Sequence, residues 1–561
     1  MNGVPDLEAL FGDPFAEANP VGFAAVLAAD ERGELLPEGE ALLTGYGLGA
    51  EFVPTELGGR FDRADRMAAV LRAVFRRDCA LGLGHGVTSF IAAAPIWTSG
   101  NAAQRNWVAE YLLGGGRLSA AYTELAHGND FTRVETRATR TAEGFVLDGR
   151  KELVNNAARA DAAVVFAKTE DRPGSRGHSH FLVDLAAVPA GSYRRLPDFP
   201  TVGVRGCLLG GFEFTGCPLP GESLVGAPGE GMETVLRAFQ VTRAVLPGMT
   251  LGALDTLLRL AARFAAERRL YGRTVAGLPH AGATLAGAFT DLLICDCLCT
   301  VAARALHVVP EQAGMLAAAT KYLVPRLAQD AAYALSVLFG ARGYLREGPF
   351  AMAQKIIRDL PVLTFGHANA AVCQSSIIPR LPRIARTVGE PAPEVLFRSD
   401  GELPPLDFGL LTLDYRGHDR VLLLLEGLPG EVGLPGVFEA ELARWRDTAV
   451  KLAPRDTIIL AGRAGFETSH RYALLLAAAS SVGVWLANRD RSPFLDGGAW
   501  IRAALRRLGA RLGRHGGDPA EEDEELGREL FARCADGVTL DLAARPLGRS
   551  AGTSRGRGTG R

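Results

Sequence analysis

The stretch Ser119–Asp161 decides how this chain is interpreted. It begins with SAAYTELAHGND at Ser119–Asp130 and, after a polar run, continues with GFVLDGRKELVNNAARAD at Gly144–Asp161. The first part predicts a loop rich in hydroxyl and carboxyl groups. The second predicts a hairpin-like turn at Asp148-Gly149, followed by a loop rich in amides. Two strand-bounded loops of this composition can build the polar wall of a cofactor pocket.

Composition places the chain among globular proteins with several domains. It has 561 residues, 48% hydrophobic and 22% charged, and its formal net charge of −2 provides no basic field for a nucleic-acid partner. The first residues show no basic segment followed by an apolar one, so we predict no signal peptide and a cytoplasmic location. The longest apolar stretch, Tyr472–Ala487, is interrupted by Ser480 and Ser481 and is short for a membrane span. We therefore predict a buried helix there and no membrane span.

The hydrophobic period changes twice along the chain. Apolar residues recur every three or four positions in residues 1–117 and again in residues 228–389, which predicts helices in both ranges and an antiparallel bundle in the second. Between them, short alternating runs in residues 118–227 predict a β domain. Residues 390–547 predict an additional helical module, and the Gly, Ser, Thr and Arg of residues 548–561 predict a disordered tail. The predicted fold class is therefore α+β and mainly helical.

Three local patterns predict where elements begin, turn or end. Asp148-Gly149 predicts a hairpin turn, because Asp-Gly between alternating runs is a strong turn signal. Thr242 predicts the N-terminal cap of a bundle helix that ends near Tyr271-Gly272. Gly516–Glu524 predicts an acidic, solvated loop.

The cysteines and histidines predict no metal site. Cys295, Cys297 and Cys299 alternate within a helical pattern, which points consecutive members to different faces, so we interpret them as buried core residues. His178 and His180 alternate on a strand and share a face, but no third ligand is apparent in the sequence.

Several ordered motifs resemble those of the acyl-CoA dehydrogenase and acyl-CoA oxidase superfamily. The resemblance covers roughly residues 20–390, about two-thirds of the chain. It implies that family's fold, with an N-terminal helical domain, a middle β-barrel domain and a four-helix bundle, to which a C-terminal helical module is added here. The motifs are Val53–Gly59, Thr123–Asp130, Gly149–Lys151 with Asn155, Thr242-Arg243, Glu267–Gly272, Gly340–Tyr344 and Arg358-Asp359.

The resemblance also implies a cofactor, a substrate and an assembly. FAD would lie between the β domain and the bundle, with part of its site donated by a neighbouring subunit, so a homodimer or homotetramer is expected. The substrate would be an acyl thioester of CoA or of an acyl-carrier protein. The residues that the resemblance assigns to the flavin are Thr123, Asn129, Val154, Asn155, Arg268, Tyr271, Gly340 and Gly343. Those that it assigns to the substrate are Tyr122, His127, Arg243 and Gly366.

The position of the catalytic base departs from the family pattern. Desaturation of an acyl thioester needs a base for the α proton and a flavin that accepts hydride from the β carbon. The family usually supplies a Glu a few residues after Arg358-Asp359, and that position falls here on Gly366 or His367. Glycine cannot accept a proton, whereas imidazole titrates near neutral pH. His367 is thus the candidate base, and its alternative interpretation is a hydrogen-bond donor at a helix start.

Glu152 is a second departure, because the family usually has a Trp beside the flavin there. A carboxylate at this position would disfavour an anionic reduced flavin, and Val154 replaces a hydrogen-bonding Thr at the flavin edge. Three functions remain open from the sequence. The first is a flavoenzyme acting on an acyl thioester. The second is a non-redox cyclase, dehydratase or isomerase, possibly without flavin, in which Glu152 is an acid or base beside an apolar site. The third is a silent partner subunit.

Overall fold

The computed structural model describes residues 4–172, 174–386, 388–413, 419–428, 436–514 and 519–548. The predicted disordered tail, residues 548–561, lies outside the described residues except for Gly548. The described chain runs from a helical region through a β domain to a helical bundle and a second helical region. The predicted fold class, with the family's layout, is confirmed.

The first helical region packs around a nearly fully buried helix, α4. This helix, Ala64–Arg77, is buried on almost every side. It lies against the N-terminal helix α1, Val4–Phe11, and against the bundle helix α9, Pro247–Glu267. The helices of this region are α1 Val4–Phe11, α2 Phe23–Arg32, α3 Pro37–Tyr46, α4 Ala64–Arg77, α5 Cys79–Gly82, α6 Thr88–Ser99 and α7 Ala102–Leu113.

The β domain is one sheet built around its most apolar strand. Strand β4 is buried from Ala162 to Ala167, as expected for an uninterrupted apolar run. The strand order is β6-β7-β3-β2-β4-β5-β8, and β1 pairs with β4 in parallel. The strands are β1 Leu118–Ala121, β2 Arg137–Arg140, β3 Gly144–Asn155, β4 Ala162–Lys168, β5 His178–Asp184, β6 Tyr193–Leu196, β7 Leu209–Pro220 and β8 Leu224–Val225.

The predicted hairpin turn at Asp148-Gly149 is wrong. Strand β3 runs through it, and the register against β7 shifts between Leu147 and Gly149, which is a β-bulge. The extra residue of this bulge lies on β7, where Thr215 and Gly216 face Asp148 alone. Gly216 has φ +55°, and its N–H donates to Asp148 Oδ1 at 2.6 Å. A second register shift follows at Leu153, which has φ +53° and redirects the side chains of the candidate flavin-facing segment.

The bundle begins with two helices rather than one. Helix α8, Gly231–Val245, already contains Thr242, and α9 runs from Pro247 to Glu267. The predicted cap at Thr242 is wrong, because the break comes at Pro247, which has no N–H to donate to the preceding turn. The predicted helix end near Tyr271-Gly272 is also wrong, since these residues form the turn of a short hairpin. Its strands are β9 Arg269–Leu270 and β10 Arg273–Thr274.

The remaining helices complete the bundle and form the C-terminal module. In the described part of this module, α17 and α20 pack against α10 of the bundle. The bundle helices are α10 Pro279–Val308, α11 Pro310–Phe339, α12 Ala351–Asp359, α13 Val362–Phe365, α14 Ala370–Ile377 and α15 Leu381–Ile384. The module helices are α16 Val437–Val450, α17 Arg463–Asn488, α18 Pro493–Asp496, α19 Ala499–Arg511 and α20 Ala520–Asp536.

The acidic stretch near residue 520 is helical where it is described. The predicted loop at Gly516–Glu524 is wrong for residues 520–524, because α20 begins at Ala520 with Glu521, Glu522 and Asp523 in its first turn. Negative side chains stabilise the positive end of the helix dipole, so residues that indicate solvation also favour a helix start. Residues 515–518 lie outside the described residues.

Burial accounts for the most apolar parts of the chain. Three helical segments, Cys79–Ser99, Gly231–Glu267 and Pro279–Val308, are long and apolar enough to cross a membrane by length and composition alone. Their most apolar windows are 89%, 94% and 94% buried inside the protein. The predicted buried helix at Tyr472–Ala487 lies within α17 and is confirmed, as are the predicted core cysteines of α10.

Candidate functional site

A buried ion pair holds the loop that follows β1. Lys151, fully buried on β3, donates from Nζ to Glu124 Oε1 at 2.8 Å and to Tyr122 O at 3.2 Å. The carboxylate of Glu124 also accepts hydrogen bonds from Glu135 N and from the N–H and hydroxyl of Thr136. Burial favours the neutral form of Glu124, but Lys151 and these hydrogen bonds outweigh it and lower the pKa of Glu124 below 4.5. These contacts fix the first residues of the loop that follows β1.

Glu152 is held by hydrogen bonds rather than placed in an apolar pocket. Its N–H donates to Thr123 O at 2.9 Å, and its carboxylate accepts from Leu125 N at 3.1 Å. The other carboxylate oxygen pairs with Arg150 Nε at 3.0 Å. The predicted apolar surroundings of Glu152 are therefore wrong, because the side chain turns back to the loop that follows β1. Both carboxylate oxygens have partners within the chain, and the acid or base role of Glu152 stays a prediction.

Two of the predicted flavin-facing residues have little to offer a ligand through their side chains. Val154 is buried and has no polar side-chain group. The Asn155 amide donates to Leu83 O at 2.7 Å and to Thr88 Oγ1 at 2.6 Å. Both donors of this amide are thus used within the chain.

The other two predicted flavin-facing residues remain available to a cofactor. Thr123 and Asn129 are half-buried on the loop that follows β1. Their side chains form no hydrogen bond with the residues that the structure describes. A hydroxyl and an amide are therefore left at the edge of the β domain.

The residues assigned to the flavin phosphates lie on the surface of the bundle. Arg268 and Tyr271 lie at the exposed hairpin after α9, and Tyr271 is 93% exposed. Gly340 follows α11 with φ +56°, and a Cβ on Gly343 would stand 2.6 Å from Phe339 Cβ, so both positions favour glycine. The turn can therefore bring backbone close to a ligand.

Two residues assigned to the substrate have partners within the β domain. His127 contacts Glu135 Oε1 through Nε2 at 3.1 Å. Tyr122 is buried, and its ring meets the edge of His180 with centroids 5.5 Å apart. Both side chains therefore take part in the packing of the β domain.

His367 and Thr242 meet although they are 125 residues apart in the chain. His367 Nε2 shares a hydrogen bond with Thr242 Oγ1 at 2.6 Å, and its ring meets the edge of Phe239 with centroids 4.4 Å apart. Burial, with the nearby charges of Lys321 and Arg243, lowers the pKa of His367 well below 6.5. The imidazole is therefore neutral at physiological pH, and its basicity is weakened.

Gly366 is excluded as a position for a carboxylate. A Cβ at residue 366 would stand 2.8 Å from Val362 O, closer than side chains pack against backbone. His367, at φ +51°, carries its side chain to Thr242 instead. Of the two residues left open by the sequence, His367 is the one with a side chain that can accept a proton, and its role as a base stays a prediction.

Two cations lie beside His367, and one of them was missed by sequence reasoning. Arg243 on α8 was assigned to the substrate, and its guanidinium carbon lies 5.2 Å from the centroid of the Phe239 ring. Lys321 on α11 is buried, donates to Leu363 O at 2.5 Å, and lies close enough to Arg243 for their charges to repel. In the sequence, Lys321 stands within an otherwise uncharged, mainly apolar run. Such a run predicts a buried helix, and the lysine is then buried with it.

The histidines of β5 pack as aromatic side chains. His178 stacks on Phe166 with ring centroids 5.3 Å apart, and His180 lies 5.1 Å from the same ring. Within the described ranges, no group of three or more His, Cys, Asp or Glu residues is arranged to hold a metal ion.

Comparisons with known proteins agree with this architecture. Residues 119–217 match the family model of the acyl-CoA dehydrogenase middle domain, and residues 229–380 match that of the acyl-CoA dehydrogenase C-terminal domain. These two matches support membership of the acyl-CoA dehydrogenase superfamily. The human mitochondrial short-chain specific acyl-CoA dehydrogenase is 30% identical over 229 residues, which are 41% of this chain and 55% of that protein. The match thus spans about half the length of this relative.

Solved structures of the superfamily share the fold at low sequence identity. An acyl-CoA dehydrogenase from Bacillus anthracis, complexed with FAD, has a TM-score of 0.68 and 17% identity, and the match covers 94% of this chain and 90% of that one. The C-terminal module therefore has a counterpart in that fold. The prolyl acyl carrier protein oxidase AnaB has a TM-score of 0.58 and 18% identity, over 63% of this chain and 92% of that one. At these identities, the likeness shows the fold alone.

The buried ammonium of Lys321 predicts a measurable pH dependence of stability. Burial lowers the pKa of Lys321 from 10.5 to about 8, so between these values the unfolded chain binds more protons and stability rises with pH. The stability advantage of Lys321→Met over the wild type should thus shrink by about 3 kcal/mol from pH 8 to pH 10.5. Denaturant unfolding across this range measures it. Lys451→Met, at an exposed lysine, is the control. If the difference in unfolding free energy from the wild type did not change with pH for either variant, the prediction would be contradicted.

Proposed function

We propose that this chain is a flavin-dependent oxidoreductase that acts on an acyl thioester of CoA or of a carrier protein, with His367 as the acceptor of the α proton. The observation that carries the proposal is the contact between His367 Nε2 and Thr242 Oγ1 at 2.6 Å. It holds an imidazole at one of the two positions that the resemblance gives to the base. A neutral imidazole can accept a proton at once, without first losing one.

The surrounding charges compensate for the weak basicity of His367. Removal of the α proton leaves negative charge on the thioester oxygen, and cations or donors aimed at that charge lower the barrier to its formation. Burial is the main cause of the lowered pKa of His367, and the positive charges of Arg243 and Lys321 add to it. The same two charges would stabilise an anion formed next to the imidazole. Proton acceptor and anion stabiliser thus act together.

The residues of this chain fit a flavin, with fewer donors at its ring than the family pattern provides. Thr123 and Asn129 would contact the ring, and the exposed Arg268, with the turn at Gly340 and Gly343, would contact the phosphates of a neighbouring subunit's flavin. When bound, FAD supplies the acceptor for the hydride of the β carbon. The FAD complex of the Bacillus anthracis relative supports this assignment, and the carrier-protein oxidase supports a carrier-bound substrate.

A shared flavin site requires an oligomer, and the surface of the bundle provides apolar side chains for one. Arg268 is exposed in the single chain, as a donor to a neighbouring subunit must be before assembly. Exposed apolar side chains lie on the C-terminal part of α11 and just after it. These are Tyr333 at 72%, Val337 at 63%, Tyr344 at 90% and Leu345 at 56% exposure. They support a homodimer or homotetramer.

The proposal predicts that the purified protein binds FAD in a stoichiometric complex. Arg268→Ala should weaken FAD binding about 10-fold or more, because it removes charge-assisted hydrogen bonds to phosphate. Arg263→Ala is the matched control, since Arg263 lies on the preceding helix turn but pairs with Glu267. Spectrophotometric titration of the FAD-depleted protein measures both. A colourless protein that takes up no FAD would overturn the proposal in favour of the non-redox or silent alternative.

A further inference from the structure

A pocket of about 210 Å³ lies within residues 43–117, apart from the residues predicted for the flavin and the thioester. Buried leucine side chains and Phe52 form its apolar lining, and Thr44, His85, Ser89 and Arg117 are its polar side chains. A pocket of this kind binds a small ligand against its apolar walls and fixes the ligand's orientation through a few polar groups. The hydrogen-bonding capacity of those groups therefore indicates the chemistry of the ligand.

His85 offers this pocket an acceptor of a hydrogen bond. It lies in a π-helical turn, Leu83–Val87, a local widening that is frequent at functional sites, and its Nδ1 contacts Glu40 Oε1 at 3.2 Å. Burial alone would raise the pKa of Glu40, but hydrogen bonds from His85 and Arg159 lower it to about 2, so the carboxylate is ionised and Nδ1 carries the proton. Burial lowers the pKa of His85, so the ring is neutral. Its Nε2, which has no hydrogen-bond partner among the described residues, therefore bears a free lone pair.

Arg117 offers the same pocket a positive charge that is only partly neutralised. Glu40 Oε1 accepts from Arg159 Nη1 at 2.6 Å, but it lies 3.5 Å from Arg117 Nη2. The buried Nε of Arg117 has no hydrogen-bond partner among the described residues. One carboxylate thus faces two guanidinium groups, and Arg117, which lines the pocket, is the one held more weakly. An anionic ligand would balance its charge.

We infer that this pocket binds a small hydroxy acid, a free monocarboxylate that carries a hydroxyl group on a short carbon chain. The carboxylate would accept charged hydrogen bonds from Arg117, and the hydroxyl would donate to His85 Nε2. The carbon chain would pack against Phe52 and the leucine side chains. This binding site goes beyond the proposed function, because a free hydroxy acid is not a thioester and binding makes and breaks no covalent bond.

Calorimetry of the purified full chain with three matched ligands tests the inference without turnover. The probe 3-hydroxybutyrate is compared with butyrate, which lacks the hydroxyl, and with 2-butanol, which lacks the carboxylate. We expect 3-hydroxybutyrate to bind about 2- to 10-fold more tightly than butyrate and about 10- to 100-fold more tightly than 2-butanol, the ranges of a neutral and a charged hydrogen bond. His85→Phe should remove the first preference, and Arg117→Met the second. The controls His470→Phe and Arg172→Met, at residues that do not line the pocket, should leave both unchanged.

Two further variants locate the bound ligand. Thr44→Trp, at the exposed rim of the pocket, should obstruct it and weaken binding of 3-hydroxybutyrate at least several-fold, whereas His367→Ala should retain the affinity of the wild type. No binding, equal binding of the three ligands, or preferences that survive both His85→Phe and Arg117→Met overturn the inference. Unchanged affinity in Thr44→Trp, or loss of binding in His367→Ala, overturns it too. Thermal midpoints establish that each variant is folded, and Thr44→Trp, at an exposed position, decides the outcome if the other pocket variants do not fold.

Discussion

Replacement of His367 by alanine is expected to slow reduction of the bound flavin by an acyl thioester by about 10²- to 10⁴-fold, the usual contribution of a positioned general base. In the proposed function the imidazole of His367, which contacts Thr242 and lies near the charges of Arg243 and Lys321, accepts the α proton. Substrate affinity should change much less than the rate, because the acyl group is held by other contacts. Rapid mixing under anaerobic conditions measures the rate and the affinity separately.

A second histidine provides the matched control. His470 is also half-buried and also contacts one hydroxyl, that of Tyr322 at 2.9 Å from Nδ1, but on the side of the bundle that faces the C-terminal module. His470→Ala should leave the rate of flavin reduction nearly unchanged. A rate in His367→Ala within about threefold of the wild type would end the proton-acceptor role, because a positioned base contributes far more than that. His367→Glu offers a further comparison, since it restores a carboxylate without the clash that residue 366 would impose.

Replacement of Arg72 by methionine should destabilise the protein by about 3–5 kcal/mol, the usual cost of breaking a buried ion pair from one side. Arg72 on α4 is buried and pairs with Asp296 on α10 at 2.8 Å and with Asp541 of the C-terminal module at 2.7 Å. Asp296 also accepts a hydrogen bond from Leu542 N at 2.9 Å. One guanidinium therefore joins three parts of the chain, and its loss leaves two buried carboxylates without it.

Thermal unfolding and limited proteolysis both measure this effect. We expect a lower midpoint for Arg72→Met and earlier cleavage near residues 537–548, because the end of the module loses its anchor on α4 and α10. Arg32→Met is the control: Arg32 pairs with Glu34, but the two side chains are 53% and 57% exposed, and such surface pairs contribute at most about 1 kcal/mol. Similar midpoints for the two variants would show that the Arg72 network does not anchor the module.

The sequence predicts the architecture well where a pattern is carried by many residues. Helical and strand periods, with motifs in fixed order, are enough to identify the β domain and the helices around it. The same reasoning fails where one or two residues can serve two purposes. Asp148-Gly149 lies within β3 opposite a bulge of β7 instead of forming a turn. The acidic residues of Gly516–Glu524 begin a helix, where they are described, instead of filling a loop.

The chemistry of the site depends on contacts that no local pattern contains. Threonine is a common helix cap, so Thr242 suggests one in the sequence. In the structure its hydroxyl contacts His367, and only the packing of α8 against the end of the bundle brings the two residues together. Glu152 suggests an acid beside an apolar pocket, but its side chain turns to the loop that follows β1. Lys321 is visible in the sequence as a charge within an apolar run, but only the fold brings it near Arg243 and His367.

Anaerobic mixing of the FAD-loaded protein with acyl thioesters tests the central claim most directly, because it needs no external electron acceptor. The visible absorbance of the oxidised flavin should be lost on mixing, at a rate that falls in His367→Ala and stays the same in His470→Ala. A flavin that is bound in stoichiometric amount and remains fully oxidised with short-, medium- and long-chain acyl thioesters of CoA would contradict the claim that this chain is an acyl thioester oxidoreductase.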